Sequence, residues 1–417
     1  MTTTKNNEHK KLNVPNKQEQ NQTCLDSAER EGLSPKGNVP NLRFPEFQGE
    51  WSVTTLQKDC IVNPTNEKIA DKFVYVDLES VKQGQLYKYQ ILTKDNAPSR
   101  AQRVLHTDDI LFQCVRPYQM NNYMVKGTMS DIQWVASTGY AQIRTQIDYP
   151  AFLYYVLNTS KYNKAVMVRC TGSSYPAINS EDLSKIPFYK CGIAEQKKIA
   201  DFLFLLDERI ATQNKIIEDL KKLKSAIIEK VYSEIQGKEY SYGQLFDVVN
   251  ERNKQMEYSN ILSASQEKGM VNRDDLNLDI QFERSNINTY KIVRKGDYVI
   301  HLRSFQGGFA FSDKLGVCSP AYTILRPNSI LEYGYLSNYF TSQRFIKSLV
   351  LVTYGIRDGR SINVEEWLRM KITIPPKEHQ QYIVKVIGIF ERKIEDEEAY
   401  AAQLSIQKQY LLSQMFV

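Results

Sequence analysis

Shifting the chain by 184 residues lays one half on the other, without a gap across the longest matching segment. Ile178 falls on Ile362, Asn179 on Asn363, Glu181 on Glu365 and Leu183 on Trp367. Further along, Gln196 meets Gln380, Ile199 meets Ile383, Ile210 meets Ile394, Leu220 meets Leu404, Lys224 meets Lys408, Ile227 meets Leu411 and Tyr232 meets Phe416. Looser matches join Glu50-Trp51-Ser52 to Glu239-Tyr240-Ser241, Thr107-Asp108-Asp109-Ile110 to Lys295-Gly296-Asp297-Tyr298, and Ser137-Thr138-Gly139-Tyr140 to Ser319-Pro320-Ala321-Tyr322. Self-similarity constrains architecture more than composition does, because each copy has to fold as the same structural unit. The copies agree best in their helical parts and have diverged between them. A duplication without functional consequence does not account for that imbalance.

The well-matched parts, about Ala194–Ile235 and Lys377–Phe416, carry a seven-residue apolar period. In the first, Ile199, Leu206, Gln213, Leu220 and Ile227 form one row and Leu203, Ile210, Ile217, Lys224 and Val231 the other. In the second the rows are Ile383, Phe390, Glu397, Leu404, Leu411 and Ile387, Ile394, Ala401, Lys408, Met415. Such rows are the two apolar positions of a coiled-coil seam. Each helix is about 40 residues, roughly 60 Å long at the α-helical rise. Two in one chain most simply pack on each other antiparallel; pairing of each seam in trans, giving a homodimer, is the alternative. An unpaired charge in a dry seam is costly. The register that sets Lys224 opposite Glu397 and Gln213 opposite Lys408 gives every polar seam residue a polar partner, whereas its neighbours set Lys224 against Phe390 or Leu404. The sequence therefore predicts Lys224 facing Glu397.

Ahead of each long helix lies a stretch that mixes short β-type runs (Phe73-Val74-Tyr75-Val76 and Ile110-Leu111-Phe112 in the first, Tyr298-Val299-Ile300 and Ala321-Tyr322-Thr323-Ile324-Leu325 in the second) with turn clusters. The expected organisation is α+β: a mobile polar tail (1–38), a mixed domain (39–193), a long helix (194–236), a second mixed domain (237–376) and a second long helix (377–417). With 42% hydrophobic and 11% aromatic residues the chain has enough apolar side chains for two cores. No run approaches the roughly eighteen apolar residues of a membrane span, and the polar N-terminal segment lacks a signal-peptide core. The expectation is a cytoplasmic protein without membrane contact. The six cysteines are scattered without a C-x-x-C pair, which suggests neither zinc nor a disulfide framework. A formal charge of +6 supports nucleic-acid binding only weakly.

Several motifs then acquire meaning by their order. Val39-Pro40-Asn41-Leu42-Arg43-Phe44-Pro45 followed by Trp51, the Asp109-Ile110-Leu111 strand start, Thr171-Gly172-Ser173-Ser174-Tyr175-Pro176-Ala177-Ile178-Asn179, Glu195-Gln196-Lys197-Lys198-Ile199-Ala200, Leu206-Asp207-Glu208-Arg209-Ile210 and Ile374-Pro375-Pro376-Lys377-Glu378-His379-Gln380 are each weak alone. Set twice around heptad helices, they resemble the specificity subunit of type I restriction–modification enzymes, over nearly the whole chain after the tail. That resemblance implies two target-recognition domains on an antiparallel helical spacer, arranged as a pseudo-twofold repeat, each domain reading half of a split double-stranded DNA site. It implies assembly with two methyltransferase subunits and with motor–nuclease subunits. S-adenosylmethionine, ATP and Mg would sit on those partners, with no cofactor and no catalytic site in this chain. A scaffold joining two proteins through its helices, without DNA binding, is the other reading.

The residues agree with a non-catalytic role. Asn63-Pro64-Thr65-Asn66 lacks the second proline and the aromatic of an adenine-methyltransferase motif, and Gln306-Gly307-Gly308 reads as a bulge or turn. No phosphate-cradling G-x-x-x-x-G-K-[ST] occurs, the four histidines show no metal spacing, and Asp108-Asp109 reads as a turn before a strand. Sequence readout requires Arg, Lys, Asn, Gln or hydroxyl groups at base edges and further cations on phosphates. The candidates in the first domain are Arg100, Arg103, Arg116, Lys126, Arg144, Arg169, Ser173, Ser174 and Tyr175. Those in the second are Arg252, Lys254, Arg294, Arg303, Ser304, Gln306, Arg344, Arg357 and Arg360. For any single arginine the alternative is a solvated surface charge. The loops Cys170–Asn179 and Tyr354–Asn363 are the better candidates as groups.

Overall fold

The computed structural model describes residues 37–65, 67–127, 132–172, 174–265, 268–275, 284–301, 308–354 and 361–417. The chain divides into two compact units, one comprising residues up to Ile210 with Gln403–Val417, the other Ala211–Ala402.

In the first unit, alternating and continuous apolar runs form two four-stranded sheets. With strands β1 (Ser52–Thr55), β2 (Cys60–Val62), β3 (Lys72–Val76), β4 (Gln90–Thr93), β5 (Ala101–Leu105), β6 (Ile110–Gln113), β7 (Tyr123–Met124), β8 (Gln133–Ser137) and β9 (Tyr140–Thr145), the sheet orders are β4-β3-β8-β5 and β2-β9-β6-β7. β3 and β8 run parallel and the other pairs antiparallel. Helices α1 (Pro150–Leu157), α2 (Ser160–Arg169) and α3 (Ser180–Ser184) follow, and β10 (Pro187–Lys190) returns to pair with β1. Proline opens α1, while Thr159 and Asn179 accept backbone N–H groups at the starts of α2 and α3. The main core gathers Trp51, Phe112, Phe152, Leu153, Tyr155 and Tyr162. It also takes in Ile199, Ala200 and Leu203 of α4 (Ile193–Glu234).

The second unit repeats part of this plan. Its strands are β11 (Lys238–Ser241), β12 (Phe246–Val249), β13 (Leu262–Ser265), β14 (Gly269–Asn272), β15 (Lys291–Val293), β16 (Tyr298–Ile300), β17 (Phe309–Phe311), β18 (Gly316–Cys318) and β19 (Thr323–Pro327). Then come helices α5 (Gln343–Ser348) and α6 (Val364–Arg369), strand β20 (Lys371–Ile374) and helix α7 (Lys377–Gln414). The sheet β12-β19-β16-β17 has the strand order of β2-β9-β6-β7, and β11 pairs with β20 as β1 does with β10. The other layer pairs β13 with β14 and β15 with β18, and a parallel bridge between Ile261 and Val317 joins these pairs in the order β14-β13-β18-β15, a shorter counterpart of β4-β3-β8-β5. The copies differ most in how far the strands of this layer pair. Asn363 caps α6 as Asn179 caps α3, and Trp367, the counterpart of Leu183, stacks on Tyr242 at 4.2 Å in a core rich in aromatic rings.

One further duplicated device, a buried glutamine, ties the start of each long helix to its unit. At the start of α4, buried Gln196 donates to Asp148 Oδ1 (2.8 Å) and the Cys191 carbonyl (2.9 Å) and accepts from the Tyr149 N–H (2.9 Å). At the start of α7, Gln380 donates to the Ile330 and Pro375 carbonyls (both 3.0 Å) and accepts from the Glu332 N–H (2.8 Å).

The long helices do pack on each other: Leu411, Leu412 and Met415 join the first core, and Ile217 clusters with Ile394, Ala401 and Leu220 in the second unit. The expected register is wrong. Lys224 Nζ lies 2.8 Å from Glu391 Oε1, not against Glu397, and Glu397 instead accepts from Gln213 Nε2. Asn338 Nδ2 donates to the same Glu391 oxygen (3.1 Å). One repeat earlier the arrangement recurs: Lys408 pairs with Asp207 (2.5 Å), and Tyr155 Oη donates to Asp207 Oδ2 (2.9 Å). The layer argument failed because it sought partners only within the seam rows, while these lysines reach carboxylates flanking the seam. Lys408 and Asp207 are 18% and 21% exposed, against 24% and 42% for Lys224 and Glu391. Between the limits for exposed and buried pairs, Lys408→Ala is expected to cost about 2 kcal/mol and Lys224→Ala about 1 kcal/mol. Urea unfolding of the two variants checks the order.

Candidate nucleic-acid interface

The sequence-expected contact residues fall into distinct electrostatic states. Arg144 on β9 is committed to a fully buried carboxylate: its Nε and Nη2 donate to Asp109 at 2.8 and 2.9 Å. Arg294 reaches Glu251 at 2.8 Å, and Arg169 caps α2 by donating to the Ala165 carbonyl. Lys126 sits 4.3 Å from the Phe204 ring centroid. Arg100, Ser174, Arg252, Lys254 and Arg344 are exposed. Arg103, on the edge strand β5, is half-buried with its Nε lacking a partner among the described residues, and burial lowers its pKa from the ordinary guanidinium value. Ser173, Arg303, Ser304, Gln306, Arg357 and Arg360 lie outside the described residues, as does most of the Tyr354–Asn363 loop.

Arg116 and Tyr175 are brought together. Thr171 and Ala177 exchange two backbone hydrogen bonds of 2.9 Å, closing the loop between them. Gly172 has φ +91°, and a Cβ there would meet the Tyr175 carbonyl oxygen at 2.9 Å, so the tight path needs glycine. The loop is zipped to residues 114–116: Ile178 N–H donates to Cys114 and Arg116 N–H to Pro176, at 3.0 and 2.8 Å. Tyr175 is thereby held 64% exposed with the Arg116 guanidinium 4.6 Å from its ring centroid. Arg116 itself adopts φ +55°, a left-handed conformation that costs a non-glycine residue energy and often marks a functional position.

Both residues line an open cleft of about 500 Å³ with Lys82, Tyr87, Lys88, Gln113, Gln119 and Asn121 among its walls. Lys82 lies 4.6 Å from the Tyr87 ring centroid, and Lys88 pairs with Glu79 at 2.8 Å. Sequence reasoning missed this wall. The signal was present in Lys82-Gln83-Gly84-Gln85: Gln83 (φ +50°) and Gly84 (φ +77°) form the two-residue turn of a tight hairpin, a short loop that carries cations and tyrosines. Among the described residues no carboxylate ion-pairs with Arg116 or Lys82, so the cleft carries net positive charge. Gln113, fully buried, buttresses it by donating to the Val115 carbonyl and Gln119 Oε1. Among the described residues no group of His, Cys, Asp or Glu is placed to hold a metal ion, and no helix is long and apolar enough to cross a membrane.

A family model described as the type I restriction modification DNA specificity domain matches residues 61–222 and, a second time, 237–405. The chain belongs to this family. The two matches coincide with the internal repeat, so each copy is one DNA specificity domain of mixed helix and strand with its long helix. Two solved structures have the same fold. One, from a structure of complex assembly and conformational transition of the type I R-M system, gives a TM-score of 0.55 at 19% identity and covers 88% of this chain and 97% of its own. The type I restriction-modification system S subunit from M. genitalium gives 0.53 at 15% identity, covering 91% and 99%. No curated protein matched the chain.

Proposed function

We propose that this chain is the specificity subunit that selects a bipartite double-stranded DNA target, each domain reading one half-site and the long helices setting the spacer between them. The observation that carries this reading is the duplicated specificity domain, whose framework sheet keeps its strand order in both copies while the other layer differs in how far its strands pair. A retained frame keeps two readers mounted alike; a divergent layer lets them read different bases. The family assignment favours DNA over a purely protein-joining scaffold. The chain positions methyltransferase subunits and motor–nuclease subunits, which hold S-adenosylmethionine, ATP and Mg, and carries no catalysis of its own. It acts in the cytoplasm, where its target is.

Selection of random duplexes by the chain assembled with methyltransferase subunits tests this: two unlike half-sites around a fixed unread gap are expected. Deleting one heptad from each long helix removes roughly 10 Å of each rod, so the gap should change while the half-site bases persist. Altered bases with an unchanged gap, or no DNA selection at all, would overturn the reading. Phosphate contacts make the binding steeply salt-dependent.

A further inference from the structure

The geometry points to Arg116 as the residue through which the first domain reads a guanine, with Tyr175 as its platform and Lys82 as a phosphate anchor beside it. This rests on the DNA-reading function proposed above and assigns its site.

The argument is one of elimination followed by fit. Guanine presents two acceptors, O6 and N7, in the major groove, and a planar guanidinium can bond both. An arginine serves this purpose when its fork is free, oriented in advance and set in positive surroundings. Arg43, Arg144, Arg294 and Arg326 are ruled out because each guanidinium is ion-paired with a carboxylate. Arg169 spends a donor on its own helix. Arg103 is half-buried within a strand edge, and Arg100 is exposed with no ring or carbonyl among the described residues to orient its guanidinium. Arg116 meets all three conditions. Its guanidinium is held against the Tyr175 ring at 4.6 Å, a contact that restrains the group while leaving its N–H edge for other acceptors.

Backbone hydrogen bonds anchor both partners: the reciprocal Thr171–Ala177 pair and the bond from Arg116 N–H to the Pro176 carbonyl. Such placement matters because ordering a long side chain on binding would subtract from affinity. Lys82 is presented likewise, over Tyr87 on a hairpin whose turn is only Gln83-Gly84. A lysine is a point charge suited to phosphate rather than to a base edge. Gln119 and Asn121 line the same cleft and supply amides for a neighbouring base.

The test is selection of random duplexes by the complex with methyltransferase subunits, comparing wild type with Arg116→Ala, Arg116→Lys, Tyr175→Ala and Lys82→Ala. Wild type should require a guanine at one position of one half-site. Arg116→Ala and Arg116→Lys should each lower discrimination at that position alone by roughly ten- to a hundredfold, leaving the other positions intact. Arg116→Lys keeps the charge and bulk, so it answers the question if the alanine variant does not fold. Tyr175→Ala should weaken the same position. Lys82→Ala should weaken binding to all sequences about equally and reduce the salt slope by about one. Guanine selection unchanged in both Arg116 variants, or lost equally at every position, overturns this inference and leaves the function standing. Absence of any sequence selection by wild type overturns both.

Discussion

Asp109→Ala is expected to destabilise the first domain by about 3 kcal/mol, among the largest effects of any single substitution in the chain. The Asp109 side chain has no solvent exposure. It accepts the His106 N–H (2.8 Å), Gln142 Nε2 (2.7 Å) and both edges of Arg144 (2.8 and 2.9 Å). It thereby ties the turn before β6 to the neighbouring strand β9. Removing one partner of a buried charged pair costs about 3–5 kcal/mol, because the other charge and its donors are left without compensation. Arg144 is 31% exposed and regains some water, which sets the low end of that range. The second domain repeats the device: Asp297 accepts the Arg294 N–H (2.8 Å) and Arg326 Nε and Nη2 (2.9 and 3.0 Å). Asp297→Ala should therefore cost a similar amount. Trp51 and Trp134 report on the first unit and Trp367 on the second, so fluorescence-detected urea unfolding separates the two variants. A shift of each midpoint by at least about 1 M is expected; a loss under about 1 kcal/mol in either variant would refute the clamp.

This clamp also shows how much the sequence discloses. The repeat had already matched Asp109 with Asp297, and Tyr140 with Tyr322. Continued along that last match, Arg144 meets an arginine again, Arg326, four residues on from Tyr322. A charge pair carried by both copies, in domains whose other layers have diverged, signals framework rather than readout. Arg144 was grouped with the contact residues because residue type alone does not distinguish a buried guanidinium from an exposed one.

The register of the long helices teaches the same lesson. Asp207 and Glu391 are counterparts in the repeat, as are Lys224 and Lys408. Pairing Asp207 with Lys408 and Glu391 with Lys224 satisfies the repeat by itself, and the structure does this in each unit. Considering only the two seam rows hid both carboxylates. The architecture of long helices and mixed domains was legible because periodicity extends over many residues. The cleft was not, because its walls come from residues 78–88, 113–121 and 175, and only tertiary pairing brings such short polar segments together.

The glutamines at the helix starts offer a test in which chemistry, and not size, decides. Gln380 is 1% exposed and makes three hydrogen bonds: two donations to carbonyls and one acceptance from the Glu332 N–H. Gln380→Ala leaves three backbone groups short of a partner, and at about 1 kcal/mol or more for each unmet group the expected loss is about 3 kcal/mol. Gln380→Glu keeps the shape and the acceptor but turns the donating amide into an oxygen facing the Ile330 and Pro375 carbonyls. At neutral pH that buried carboxylate should cost at least as much as the alanine. Burial and the two carbonyl oxygens disfavour its charge, so its folded-state pKa lies above the unfolded value. Such a group is accommodated when protonated, below the unfolded pKa, and its penalty grows as pH rises through the folded pKa. Gln380→Glu, compared with wild type, should therefore recover stability at about pH 4–5 relative to pH 7.5, because the protonated acid can again donate. Gln196→Glu should suffer more at pH 7.5, since the amide it replaces donates to the carboxylate of Asp148. The measurement is urea unfolding of both variants at the two pH values. Equal stability of Gln380→Glu and wild type at pH 7.5 would show that these glutamines fill space and do not latch the helices.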